Sequence, residues 1–299
     1  MALLLHDAGL SVIISKTKLG GRVMTDFTKW KTALSCKKFD GGAFDSYRRF
    51  GIELIEISPR REDYPTLNWE GIKNESERTG VKIWSLHLPF SRDINISLPD
   101  SKKREDSVKL HLNYMQRAAD VGAKVIVVHP SSEPIEEHER GEYMENSIAS
   151  LKVLADEAQR LGLILAVENL PRTCLCRDSK ETERILKSDD RLRFCFDVNH
   201  LLIDSHEKFL ERFADRLVTL HISDYDFINE RHALPGCGHI DWQKLVELLE
   251  KADYSGPFLY EVALEGRADG EMPFPPTEIS DIRQNHLRIK SFTGGGRRL

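Results

Sequence analysis

From Thr32 onward the chain alternates between two kinds of stretch. Short runs rich in Val, Ile, Leu and Phe carry few charges, and longer stretches between them repeat their apolar residues at helical spacing. The runs TALSCKK, IELIEIS, VKIWSLHLPF, KVIVVHP, LILAVEN, RLRFCFDVNH, LVTLHI and PFLYEV are expected strands, apolar enough to be covered on both faces. Between them lie expected helices. FDSYRRFG, LNWEGIKNESERTG, SKKREDSVKLHLNYMQRAADVG and MENSIASLKVLADEAQRLG each stop on a glycine, as left-handed helix ends favour. ETERILKS, HEKFLERFAD and DWQKLVELLEKADYSG continue the rhythm, and EISDIRQNHLRIKSF closes it. In the third helix Leu110, Tyr114 and Ala118 fall on one face. Eight strands alternating with helices predict an α/β fold, a (β/α)8 barrel in a single domain over residues 31–292. A doubly wound open sheet is the alternative, but no glycine-rich phosphate fingerprint follows the first strand. Residues 1–30 read least clearly and are expected to form an extension of the same domain or a lid. Residues 293–299, TGGGRRL, read as a frayed tail.

Composition narrows the function classes. At 299 residues the chain is long enough for one large domain or two ordinary ones, and 40% hydrophobic with 30% charged residues is ordinary globular usage. A net charge of -5 gives no general attraction for nucleic acid or anionic membrane. The five cysteines are odd in number and irregularly spaced, which reads as reduced thiols in a cytoplasmic protein. No apolar run approaches the roughly 20 residues that span a bilayer. The segment MALLLHDAGLSVII is interrupted by His6 and Asp7 and lacks a basic start and cleavage site, so it does not read as a signal peptide.

The chemistry gathers where the strands stop. From the third to the eighth expected strand those ends carry His87, His129, Glu168, Asp197, His221 and Glu261, with His200 three residues beyond Asp197. In a parallel barrel such positions converge on one pocket. A lone His or Glu at a strand end is more often a satisfied structural residue than a ligand; six consecutive strands ending this way are much harder to assign to chance. Oxygen and imidazole donors without thiolate suit one divalent ion such as manganese, zinc, cobalt or magnesium. Glu168, Asp197, His221 and Glu261 form the expected metal set. Glu168 and Glu261 are also the expected acid/base pair, able to move a proton between neighbouring carbons or to invert one carbon while the ion stabilises enediolate charge. His87, His129, His200, Glu230, His232, Asn169 and Arg172 are expected to bind substrate or further metal, a surface ion pair being the alternative for Arg172. Trp69, Trp84, Trp242 and Phe90 are candidates for the pocket wall, though aromatic residues are more often core. The Gly236–Gly238 turn could lend backbone amides or serve only as a tight entry into the next helix.

At these residues the chain resembles the xylose isomerase-like TIM-barrel superfamily, which joins sugar and sugar-phosphate isomerases and epimerases with endonuclease IV (AP endonuclease family 2). The motifs that carry the resemblance are SLHLPF, VIVVHPS, LAVENLP, FCFDVNH, LHISD followed by RHALPGCGHIDW, and YEV, in order from Trp84 to Val262. Similarity to the ketose 3-epimerases implies that Glu168, Asp197, His221 and Glu261 bind the metal, that Glu168 and Glu261 transfer the proton, and that His200 binds substrate. The endonuclease IV branch implies further zinc ions, with His87, His129 and Glu168 as one group and Glu230-Arg231-His232 standing where that branch has Asp-Arg-His. Glu230 in place of aspartate and a shorter loop after His221 depart from that pattern. The favoured reading is therefore a metal-dependent sugar or sugar-phosphate isomerase or epimerase in carbohydrate metabolism. The alternatives are a zinc phosphodiesterase, a dehydratase or lyase using the same enediolate, and a binding module with a structural metal. The expected partner is a small sugar, with no nucleic acid and no membrane; barrels of this kind often pair, so a homo-oligomer is open.

Overall fold

The structure, a computed structural model, describes residues 30–264 and 277–293. The expected extension or lid over residues 1–30, Trp30 excepted, and the tail beyond Thr293 lie outside the described residues.

The elements run β1 (Thr32–Cys36), α1 (Gly41–Arg49), β2 (Leu54–Ile57), a 3-10 turn (Arg61–Thr66), α2 (Trp69–Thr79), β3 (Lys82–His87), α3 (Ser101–Asp120), β4 (Val125–Val128) and α4 (Arg140–Leu161). They continue β5 (Ile164–Glu168), α5 (Ser179–Leu186), β6 (Arg193–Asp197), α6 (His206–Phe213), β7 (Leu217–His221), α7 (Trp242–Lys251), β8 (Phe258–Tyr260) and α8 (Ile279–Lys290). From β1 to β7 each strand pairs in parallel with the next, and β1 pairs with β8. The ring is closed by a parallel bridge between Ile222, just past β7, and Tyr260 of β8. The Ile222 N–H donates to Leu259 O (2.8 Å), and the Glu261 N–H donates to Ile222 O (3.0 Å). The protein is thus a single-domain (β/α)8 barrel.

Local chemistry explains the helix ends. Asp40, Asp100, Asp178, Ser205 and Asp241 each accept a backbone N–H with the side chain at a helix start. Gly80 and Gly162 take left-handed conformations at the ends of α2 and α4 (φ 79° and 69°). Helix α4 begins at Arg140, ahead of the expected start at Met144. The buried Arg140 guanidinium is bidentate to Glu181 and donates to the carbonyls of Thr173 and Cys174, which anchors an extra turn. The 3-10 turn after β2 was not anticipated.

The core has two layers. The larger packs the outward faces of the strands against the helices, with Leu34, Ile55, Leu86, Ile126, Leu165, Phe196 and Leu220 among its members. The smaller comprises Ala33, Leu54, Trp84, Val125, Val127, Ala166, Cys195, Val218 and Leu259. Because side chains alternate across a strand, residues two apart face the same way. Advancing two positions from Leu54, Val127, Ala166, Cys195 and Leu259 gives Glu56, His129, Glu168, Asp197 and Glu261. The inward column is therefore apolar at the bottom and polar at the C-terminal mouth, and that is how the fold builds its site. All five cysteines are unpaired, four of them buried. Among the described residues no helix is long and apolar enough to cross a membrane.

Candidate active site

The barrel mouth opens into a cavity of about 1540 Å³, lined at its floor by His87, His129, Glu168, His200, Glu230, His232 and Glu261. Four ligand-type atoms, one each from Glu168, Asp197, His221 and Glu261, lie within 4.8 Å of one another. His221 Nδ1 is 3.1 Å from Glu168 Oε1 and 3.3 Å from Glu261 Oε2. Asp197 Oδ1 accepts the Asn199 N–H (2.7 Å), but Asp197 Oδ2 is buried with no hydrogen-bond partner. Three carboxylates thus face one imidazole; Glu168 and Glu261 line the cavity, and Glu261, a quarter exposed, is the most open of the three.

Burying carboxylates without balancing charge is costly. Burial pushes the Asp197 carboxyl well above its usual range; His200 and His221 oppose this, while Glu261 and Glu168 add to it. Burial also opposes ionisation of Glu168, but His221 and His129 win and hold it well below the usual range. Glu261 is lowered to about 2 against its burial by His221 and His232. Burial disfavours a charged His221, yet Cys195, Glu56, Glu261 and Glu168 hold its imidazole well above the ordinary value. An orphaned carboxylate oxygen inside a cluster of oxygen and imidazole donors is what a divalent cation would satisfy, so these residues fit a metal.

Two further groups that line the cavity adjoin this one. His87, His129 and Glu168 bring ligand atoms together, as do His200, Glu230 and His232. The ring orientations follow from backbone anchors. The Nδ1 atoms of His87, His200 and His232 meet the carbonyls of Leu88 (2.9 Å), Asn169 (3.0 Å) and Glu261 (3.0 Å). A carbonyl only accepts, so Nδ1 carries the proton. Nε2 of His87 then faces Glu168 Oε2 (3.1 Å), and Nε2 of His200 faces Glu230 Oε2 (3.1 Å). His129 reaches Glu168 Oε2 (3.2 Å) and stacks on Phe90, with ring centroids 3.7 Å apart.

Arg172 lines the cavity and is ion-paired there, bidentate to Glu133 (2.6 Å to Oε1 and 3.0 Å to Oε2) and 3.2 Å from Glu230. Asn169 is drawn away from the cavity. Its amide donates to Asp197 O and accepts the Asp197 N–H, both at 2.9 Å, so it braces the backbone of a candidate ligand. Of the four aromatic candidates only Phe90 lines the cavity. Trp84 is buried with its indole N–H on Thr219 Oγ1 (3.1 Å), and Trp69 packs against Tyr114. Trp242 is buried too, and its indole N–H donates to Asp224 Oδ2 (2.7 Å). The same carboxylate accepts the N–H groups of Tyr225, Gly236 and Ile240, so the Gly236–Gly238 turn spends its Gly236 amide on Asp224.

Sequence reasoning overlooked Asp224 and also Glu56, which is fully buried in β2 and reaches His221. Both left a signal. A charged residue within a strand covered on both faces needs a partner, and Glu56 shares the inward parity of the site.

A closed eight-stranded barrel with a carboxylate and imidazole centre at its C-terminal mouth defines a class, and the comparisons place the chain within it. Residues 44–288 match the family described as xylose isomerase-like TIM barrel, and the chain belongs to that family. A probable endonuclease 4 from Oceanobacillus iheyensis is 25% identical over 86% of this chain and 96% of its own length. L-ribulose-5-phosphate 3-epimerase from Escherichia coli is 22% identical over 79% of this chain and 84% of its own. Among solved structures, a D-tagatose 3-epimerase-like protein superimposes with a TM-score of 0.73 at 20% identity, covering 88% of this chain and 96% of that one.

Proposed function

We propose that the protein is a divalent-metal-dependent isomerase or epimerase of a small sugar, with Glu168 and Glu261 as the proton-transfer pair. The observation that carries this reading is the convergence of two carboxylates, from β5 and just past β8, on His221 Nδ1 at 3.1 and 3.3 Å, beside the orphaned Asp197 oxygen. Glu168, Asp197, His221 and Glu261 would hold the ion, for which manganese, zinc, cobalt and magnesium all suit the donor set. When bound, it would supply the positive charge that polarises a carbonyl and stabilises an enediolate.

The chain's own residues do the rest. Glu168 and Glu261 are both held ionised, so either can accept the proton from the carbon beside the substrate carbonyl. Return of a proton to the opposite face of that carbon gives epimerisation; return to the neighbouring carbon gives isomerisation. Phe90 offers an apolar wall. Lys37, Arg60, Arg61 and Arg92 line the same cavity, and among the described residues they make no ion pair, which suits a substrate carrying a phosphate. The name of the Escherichia coli relative points the same way.

A multinuclear phosphodiesterase is the second reading, favoured by the two further ligand groups and by the endonuclease 4 relative. Against it, the Arg172 guanidinium stands 3.2 Å from Glu230, so the group of His200, Glu230 and His232 already holds a cation. Elemental analysis of protein purified without chelator, followed by ketoses and ketose phosphates in deuterated water, separates the two. About one divalent ion per chain and deuterium at the carbon beside the carbonyl are expected. Two or three zinc ions with cleavage of abasic DNA would overturn the sugar reading.

A further inference from the structure

Four histidines of the site fall into two kinds. His87, His200 and His232 are tied through Nδ1 to a main-chain carbonyl. His221 is reversed: its Nε2 lies 3.2 Å from Glu56 Oε1 and 3.3 Å from Glu56 Oε2, the latter contact being the aligned hydrogen bond, and Nδ1 points at Glu168 and Glu261. Glu56 is fully buried and does not line the cavity, so it can touch neither substrate nor bulk water. Its Oε2 accepts the Ser85 hydroxyl (2.8 Å), and Ser85 is its Cα partner across β2 and β3, at the register shift between Ile55 and Glu56. A register irregularity of this kind re-aims a side chain, here placing a carboxylate beneath the site.

We infer that Glu56 is a positioning residue whose carboxylate holds the Nε2 proton of His221, leaving the Nδ1 lone pair for the metal. This rests on the metal-centre reading above. A carboxylate only accepts, so the Nε2–H tautomer follows, and a carboxylate behind a ligating imidazole raises its basicity while fixing its plane. Ser85 in turn fixes the carboxylate.

The test measures Mn2+ binding to wild-type protein and to Glu56→Gln by calorimetry, with thermal unfolding of both metal-free proteins alongside. The glutamine keeps the shape but not the charge. Mn2+ affinity about 10–100-fold weaker in the variant is expected, with kcat recovering at saturating Mn2+ and the substrate KM unchanged. Unchanged Mn2+ affinity, even with a lower Tm, would mean Glu56 only supports the fold, and the inference fails. If the variant does not fold, 15N imidazole spectra of the Zn2+-loaded wild type decide: an Nε2–H tautomer at His221 upholds the inference and an Nδ1–H tautomer overturns it. Wild-type protein that binds no divalent ion would instead sink the metal-centre reading itself.

Discussion

Replacing Asp224 by asparagine should cost far more than its conservative appearance suggests. Asp224 is fully buried just past β7, and its two oxygens serve four donors. Oδ1 accepts the N–H of Tyr225 (2.9 Å) and of Ile240 (3.1 Å); Oδ2 accepts the N–H of Gly236 (2.6 Å) and the indole N–H of Trp242 (2.7 Å). Asparagine turns one oxygen into an amide that itself donates. In either orientation two buried donors then face a donor, and the remaining pair lose the help of a charge. Hydrogen bonds to charged groups contribute about 1.5–3 kcal/mol each, so losing two should cost about 3–6 kcal/mol. Against a total stability of about 5–15 kcal/mol that is a large share. The damage centres on the loop that carries Glu230 and His232, since Asp224 also pairs with Ala233 through two backbone bonds (2.8 and 3.0 Å). Urea unfolding followed by circular dichroism, with wild type and variant compared at equal slope, measures the difference. A loss below about 1 kcal/mol, the size of one ordinary hydrogen bond, would refute the reasoning. Gly238→Ala should weaken the same junction, because an added Cβ would lie 2.4 Å from Asp224 Oδ1 and 2.5 Å from Tyr225 O.

Glu261→Gln should abolish solvent proton exchange into substrate while the circular dichroism and Tm stay near wild type; full turnover would remove Glu261 from the mechanism. His232→Ala should lower kcat/KM by less than about tenfold, or about 1.4 kcal/mol of transition-state stabilisation, if a single ion suffices; complete loss of sugar turnover would speak for a multinuclear site. His111, buried in α3 with Nε2 on Pro89 O (2.9 Å), is lowered by burial to about 4. The unfolded chain takes up that proton near 6.5, so the stability His111 contributes is present above about pH 6.5 and is lost as pH falls towards 4, by about 3 kcal/mol. Urea titrations at several pH values should show this fall, and His111→Asn should flatten it; an unchanged slope in the variant would assign the loss to other groups.

The alternation of apolar runs with helical stretches sufficed to place every strand, because a barrel strand and its helix are set by local periodicity, caps and glycine stops. The same periodicity made His129, Glu168, Asp197, His221 and Glu261 legible, since each stands at the inward end of its own run. The carboxylate beneath His221 was not legible. Glu56 and His221 are 165 positions apart, and their meeting depends on ring closure and on a register shift in β2 that no local pattern announces. Asn169 and Trp242 show the same limit. Each has a side chain suited to a pocket, and each is claimed by a neighbour brought in from another strand or loop, the Asp197 backbone in one case and Asp224 in the other. What the amino-acid order determined by itself was which residues face the barrel axis, because side-chain direction repeats every two residues along a strand. Which of those residues stay free for chemistry was decided by the tertiary structure, because a buried polar group goes to whichever partner the packing brings within about 3 Å.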